Sequence, residues 1–110
     1  MALPPEIRDP INEGLRGAVV NPSGTAAGAF NGYSGIPIAG KTGTAQQPRP
    51  QMDTAIFASY GPFDAPRFAM SVIIEQGGFG GTTAAPVARR IWDHLSGKPP
   101  GEIRSVQSAD

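Results

Sequence analysis

The chain has 110 residues, 39% of them hydrophobic and 16% charged, with 15 glycines, 12 prolines and no cysteine. Nine basic and nine acidic residues cancel, and no basic block or cationic amphipathic face stands out, so nothing recommends nucleic acid or a membrane surface as partner. The absence of cysteine excludes a disulfide framework and a thiolate zinc site, and the single histidine, His94, argues against a Ser-His-Asp triad or a histidine metal site within the chain.

At this length the prior is one domain or part of one, with a small core. Glycine and proline exceed their usual shares of about 7% and 5%, which points to long loops. The chain has no apolar run of about 18 residues, the length of a spanning helix. It has no charged and then apolar leader, and the opening "MALPPEIRDP" reads as the middle of a longer protein.

In chain order, Pro4 and Pro5 form an extended entry. Asp9 is the expected N-cap and Pro10 the first residue of a helix. Ile11, Leu15, Ala18 and Val19 fall on one helical stripe, and Asn21-Pro22 ends it. "SGTAAGAFNGYSG", Ser23 to Gly35, reads as loop with at most one helical turn. "IPIAGKTGTA", from Ile36, reads as a strand with a glycine-rich second half, and Gln46 to Met52 as a loop broken by Pro48 and Pro50. Asp53 to Gly61 is a second predicted strand, and Pro62 to Pro66 a turn. Arg67 to Gln76 is a third strand, apolar enough to be buried on both faces. "GGFGG", Gly77 to Gly81, reads as a flexible joint. Thr82 or Thr83 is expected to cap a last helix with Val87, Ile91 and Leu95 in one row and Trp92 beside them. Gly97 and Pro99-Pro100 stop it, and residues 97–110 are expected to form a disordered polar tail. Short links between strands favour antiparallel pairing. The sum is an α+β arrangement of helix, loop, three antiparallel strands and helix.

The stretch "GIPIAGKTGTAQ", Gly35 to Gln46, supports two incompatible readings. Gly35, Gly40, Lys41 and Thr42 fit the phosphate-binding pattern G-x-x-x-x-G-K-[ST]. That loop needs a buried strand before it and a helix directly after it, to aim backbone N–H groups at the phosphates. "AFNGYS" precedes, and Gly43, two glutamines, Pro48 and Pro50 follow, so neither neighbour is present. Lys41, Thr42 and Gly43 also form K-T-G, a motif of serine acyltransferases. Here a strand edging a cleft must present an ammonium and hydroxyls to an anionic acyl substrate. Thr42 and Thr44 alternate and so share a face, Lys41 adds positive potential, and Gly43 lets a substrate lie close to the backbone. K-T-G alone carries little information, because an ordinary strand end can contain it.

Four blocks in order carry more. "SGTA" at Ser23–Ala26, "GKTGTAQ" at Gly40–Gln46, "DTAIFASYGPF" from Asp53 and "FAMSVIIEQGGFGGTTAAPVARRIWDHL" from Phe68 resemble the C-terminal part of the transpeptidase domain of penicillin-binding proteins, over about residues 5–96. The "GTAQ" ending and the "AAPVAR" segment look more like the monofunctional, class B branch. The resemblance implies the serine penicillin-recognising fold, an antiparallel sheet with flanking helices whose K-T-G strand lines the active-site groove. It implies that Lys41 orients hydroxyls, that Thr42 and Thr44 bind the carboxylate of a stem peptide ending D-Ala-D-Ala or of a β-lactam, and that the Thr44 N–H is half of an oxyanion hole. It implies no cofactor and no metal. It further implies that the complete protein is anchored in the bacterial cytoplasmic membrane with this domain outside.

The rest of that chemistry is absent from the sequence. Ile38 and Leu95 stand three residues before Lys41 and Lys98, so there is no S-x-x-K. Pro10, Val19 and Ala29 stand two residues before the three asparagines, so there is no S-x-N. Ser23, Ser34, Ser59, Ser71 and Ser96 read as loop or strand residues. Residues 1–96 are thus expected to be one wall of an active site, whose principal partner is the remainder of the domain. The alternative is a non-catalytic interaction module of the same fold. A cut-out sheet exposes edges, so the chain alone is expected to be marginal or to associate. Trp92 reads as core, His94 as a surface residue near a helix end, Glu75 as a hydrogen-bonded or exposed acid, and Arg89-Arg90 as the solvated side of the last helix.

Overall fold

The computed structural model describes residues 3–98. Helix α1 spans Pro5–Val20, strand β1 Ala39–Ala45, β2 Thr54–Gly61 and β3 Phe68–Ile74. A π-helical turn, Gly80–Ala84, runs directly into helix α2, Ala85–Leu95. The strands form one antiparallel sheet in the order β1-β2-β3. This is the expected α+β arrangement.

α1 begins five residues earlier than the sequence suggests. Pro4 is its N-cap, and the N–H groups of Ile7 and Arg8 bond to the Pro4 carbonyl at 3.0 and 2.9 Å. Pro5 rather than Pro10 occupies the first turn, where a missing N–H costs no helical bond. Pro10 lies inside the helix and leaves the Glu6 carbonyl without its usual partner. This is tolerated because residues 3–11 are all exposed, which leaves the carbonyl open to solvent. Asp9 is no cap; it pairs with Arg8 at 3.3 Å. Three of the four stripe residues turn inward: Val19 is buried and Leu15 and Ala18 partly so, while Ile11 is exposed.

Residues directly opposite in an antiparallel ladder share a face. One face carries Thr42, Phe57 and Val72 in one row and Thr44, Ala55 and Ile74 in another. That face holds the core, with Phe57 and Ala55 fully buried against Trp92, Ala88 and Ala85 of α2. The opposite face carries Gly43, Ile56 and Ile73 in one row and Lys41, Ala58 and Ser71 in another. β3 is therefore not buried on both faces, and Ile73 is 63% exposed. An apolar run reads alike in a central strand and in an edge strand, and β3 is an edge among the described residues.

α2 presents a different face from the expected one. Ala85, Ala88 and Trp92 are buried, whereas Ile91 and Leu95 are 40% and 43% exposed. Two stripes compete on this helix, and the alanine stripe wins because small side chains let a helix backbone approach the sheet. Neither threonine caps α2. Thr82 Oγ1 bonds to the Phe79 carbonyl at 3.1 Å and Thr83 Oγ1 to the Gly77 carbonyl at 2.6 Å, which ties down the glycine joint instead. The C-terminus is a Schellman motif: Gly97 at φ 71° donates to the His94 carbonyl at 3.0 Å, and Lys98 to the Asp93 carbonyl at 2.9 Å. Of the tail expected from Gly97 onward, these two residues close α2, and the remainder lies outside the described residues.

Side-chain clasps hold the long loop between α1 and β1. Ser96 Oγ accepts the Ile36 N–H at 2.8 Å and donates to the Trp92 carbonyl at 2.7 Å. Arg89 is not on the solvated side. It donates to the Asn31 carbonyl at 2.6 Å, lies 3.5 Å from Asp93 and stacks over Tyr33 at 5.7 Å. Arg90, His94 and Glu75 are exposed. Phe30, from the same loop, packs on Phe57 with ring centroids 5.8 Å apart.

Candidate active site

Lys41, Thr42, Gly43 and Thr44 are consecutive on β1, which no strand pairs on its outer side among the described residues. Their register against β2 is Lys41–Ala58, Thr42–Phe57, Gly43–Ile56 and Thr44–Ala55. The expected alternation holds: Thr42 and Thr44 share the face that carries the core, and Lys41 and Gly43 the other. Lys41 is exposed, and its Nζ turns back to donate to the Thr42 carbonyl at 2.8 Å. The ammonium thus stays beside Thr42 although the two side chains leave opposite faces. β1 runs straight through Lys41-Thr42 to Ala45 and leads into a loop, so no helix N-terminus meets the glycine pattern and a phosphate loop is not formed.

Two residues outside the motif complete the local structure. Thr25 Oγ1 lies 2.7 Å from Thr42 Oγ1. Gly80, at the start of the π-helical turn, donates its N–H to Thr44 Oγ1 at 3.5 Å. A Cβ at Gly80 would lie 2.5 Å from the Gly43 carbonyl oxygen and 2.3 Å from that of Ile56, so only glycine fits there. Reading the sequence identified the segments of both residues but neither pairing. Thr25 and Thr42 are 17 positions apart, and no periodicity joins a loop to a strand.

The family model of the penicillin binding protein transpeptidase domain matches residues 2–93. The chain belongs to this family. Among curated relatives, the peptidoglycan D,D-transpeptidase MrdA of Salmonella typhimurium is 30% identical over 113 aligned positions, covering 84% of this chain and 18% of the relative. MrdA of Haemophilus influenzae is 33% identical over 95 positions, covering 74% and 14%. Pseudomonas aeruginosa PBP2, solved in complex with WCK 5153, superposes with a TM-score of 0.76 at 33% identity over 86% of this chain and 20% of that one. Penicillin-binding protein A of Mycobacterium tuberculosis, solved as an imipenem acyl-enzyme, gives a TM-score of 0.61 at 28% identity over 79% and 18%. The chain therefore spans less than a fifth of the length of these curated relatives.

The described serines of this transpeptidase-domain chain are engaged in structure or exposed. Ser59 is buried and accepts the Trp92 indole N–H at 2.9 Å. Ser96 is the clasp described above, and Ser23 Oγ bonds to Asn21 Oδ1 at 2.9 Å. Ser34 and Ser71 are exposed. No serine hydroxyl bonds to a lysine among the described residues. A cavity of about 560 Å³ lies between the end of α1 and the following loop, lined by Arg16, Val19, Phe30 and Tyr33 among others. No described helix is long and apolar enough to cross a membrane.

Proposed function

We propose that this chain is the K-T-G wall of a peptidoglycan D,D-transpeptidase that binds stem peptides ending in D-Ala-D-Ala and is acylated by β-lactams. The observation that carries this reading is the position of "GKTGTAQ" on the outermost strand of the described sheet, in a chain matched to the transpeptidase family over residues 2–93. The imipenem acyl-enzyme of the M. tuberculosis relative supports acylation as the chemistry.

A serine hydroxyl from the remainder of the domain attacks the scissile carbonyl of the penultimate D-alanine. A C–O bond forms as the serine proton passes to the S-x-x-K lysine of that part, the carbonyl oxygen takes the negative charge, and collapse breaks the C–N bond, the terminal D-alanine leaving as an amine that takes up the proton. An acceptor amine then displaces the serine and completes the cross-link. With a β-lactam the ring amide opens in the first step and the acyl-enzyme persists. In this scheme Thr42 and Thr44 hydrogen-bond the substrate carboxylate, and Lys41 supplies positive potential and orients hydroxyls. Gly43 allows close backbone approach. The Thr44 N–H is half of the oxyanion hole, a type of donor worth about 3–4 kcal/mol to a transition state. The assembled protein works on the outer face of the cytoplasmic membrane, where its substrate is.

Native mass spectrometry of this chain together with the part of the domain carrying S-x-x-K, before and after benzylpenicillin, tests the reading. The assembly is expected to gain the mass of one penicillin on the other part. An assembly that forms but gains nothing would favour a non-catalytic module. An adduct on this chain alone would overturn the absence of a nucleophile.

A further inference from the structure

Thr25 belongs to a segment that is held from both sides. Asn21 Oδ1 accepts from the backbone N–H and hydroxyl of Ser23 at 3.0 and 2.9 Å. A Cβ at Gly24 would lie 2.5 Å from the carbonyl oxygens of both Gly17 and Ala18, so Gly24 sits tightly under the last turn of α1. Ala26 is fully buried, and its N–H bonds to the Ala18 carbonyl at 2.9 Å. Thr25 itself is exposed, and its hydroxyl meets that of Thr42 at 2.7 Å. A fixed backbone thus delivers one hydroxyl to the motif.

We propose that Thr25 is a positioning residue for ligand binding: it donates to Thr42, so that the single hydroxyl hydrogen of Thr42 is free for the ligand carboxylate. This rests on the reading of Thr42 as a carboxylate-binding group. A hydroxyl has one hydrogen and two lone pairs, whereas a carboxylate only accepts. If Thr42 donated to Thr25, it would have nothing left for the anion. Carboxylate binding therefore selects the polarity Thr25 to Thr42 to carboxylate, and each bond in such a chain strengthens the next. The Lys41 ammonium, 2.8 Å from the Thr42 carbonyl, places positive charge beside the same residue. Thr25 needs no base and does not touch the reacting carbonyl.

The test measures second-order acylation of the assembled transpeptidase by benzylpenicillin and by its neutral methyl ester. Thr25→Val keeps shape and removes the donor. It is expected to slow benzylpenicillin about fivefold relative to the ester, because the bond lost is a neutral one whose orienting effect on Thr42 matters only when Thr42 faces an anion. Thr25→Ser is expected to recover the rate to within about twofold, and Thr25→Val added to Thr42→Val to cost less than about twofold more. If Thr42→Val slows benzylpenicillin selectively but Thr25→Val does not, this inference fails and the assignment of Thr42 stands. If Thr42→Val leaves the rate unchanged, that assignment fails first and takes this inference with it. Equal slowing of both ligands by Thr25→Val would mean a structural role only.

Discussion

Gly80 rests on the backbone of Gly43: a methyl group added at Gly80 would lie 2.5 Å from the Gly43 carbonyl oxygen and 3.0 Å from its nitrogen. The neighbour is strand backbone, which cannot rotate away, so the π-helical turn itself must move. Gly80→Ala is expected to destabilise the fold by about 1–3 kcal/mol, the usual cost of overpacking. It should also loosen the contact between Gly80 N–H and Thr44 and so, on the proposed function, slow β-lactam acylation of the assembled domain. Urea melts read the first effect and acylation rates the second. An unchanged melt would show that the turn does not seat on β1 in solution.

Trp92 and Ser59 form a buried polar contact in the core, with the indole N–H 2.9 Å from the serine oxygen. Ser59→Ala leaves that N–H unsatisfied in a site with no exposure, at a cost of about 1–3 kcal/mol. Trp92→Phe removes the donor and leaves a void, and Trp92→Ala is expected to cost about 3–5 kcal/mol. The combined Ser59→Ala and Trp92→Phe variant should lose less than the sum of the single changes, because it removes both partners together. Strict additivity in denaturant melts would show that the hydrogen bond contributes nothing.

Burial pushes the Tyr33 phenol above its ordinary value of 10.0; Asp93 adds to the shift, while the neighbouring Ser96 hydroxyl, Arg89 and Arg16 oppose it. A raised folded-state value means that the neutral phenol is favoured in the fold. Its contribution is full below the unfolded value near 10 and is lost as the pH rises through the folded value. Tyr33 also donates to the Ile36 carbonyl at 2.7 Å, a bond that the phenolate cannot make. Tyr33→Phe is therefore expected to be about 1 kcal/mol less stable at about pH 8 and to lose less than the parent between about pH 8 and pH 11. Parallel curves over that range would contradict this.

Ile73, 63% exposed, lies in a row with Ile56 and Gly43 on the sheet face opposite the core, and β3 has a free edge among the described residues. The chain alone is expected to associate as concentration rises, through that face and edge. Ile73→Lys places a charge there and should shift the light-scattering mass toward the monomer. A parent chain that stays monomeric, with a reversible and concentration-independent melt, would refute the expectation.

Local chemistry made much of this protein legible in its sequence. Alternation and turn residues delimited three strands to within a few positions, and "SGTA", "GKTGTAQ" and the closing block together carried the family. The two lysines and three asparagines sufficed to show that S-x-x-K and S-x-N are absent. Errors arose where two local options were close in energy. Pro5 and Pro10 can both begin a helix, and only the solvent exposure around Pro10 makes its lost bond inexpensive. Either of two stripes on α2 can face a sheet, and the choice depends on how closely the backbone can approach. Arg89 reads as a surface charge until the loop carbonyls of Ala29 and Asn31 arrive beside it.

The sequence by itself determined the family, the motif and which catalytic parts are missing, because those are properties of residue identity and order. Only the tertiary structure decided that Thr25 meets Thr42, that Gly80 seats on Gly43 and that Lys41 leaves the opposite face from the threonines. Such contacts join residues far apart in the chain, and they are set by the register of β1 on β2 and the path of two loops, which no local propensity encodes.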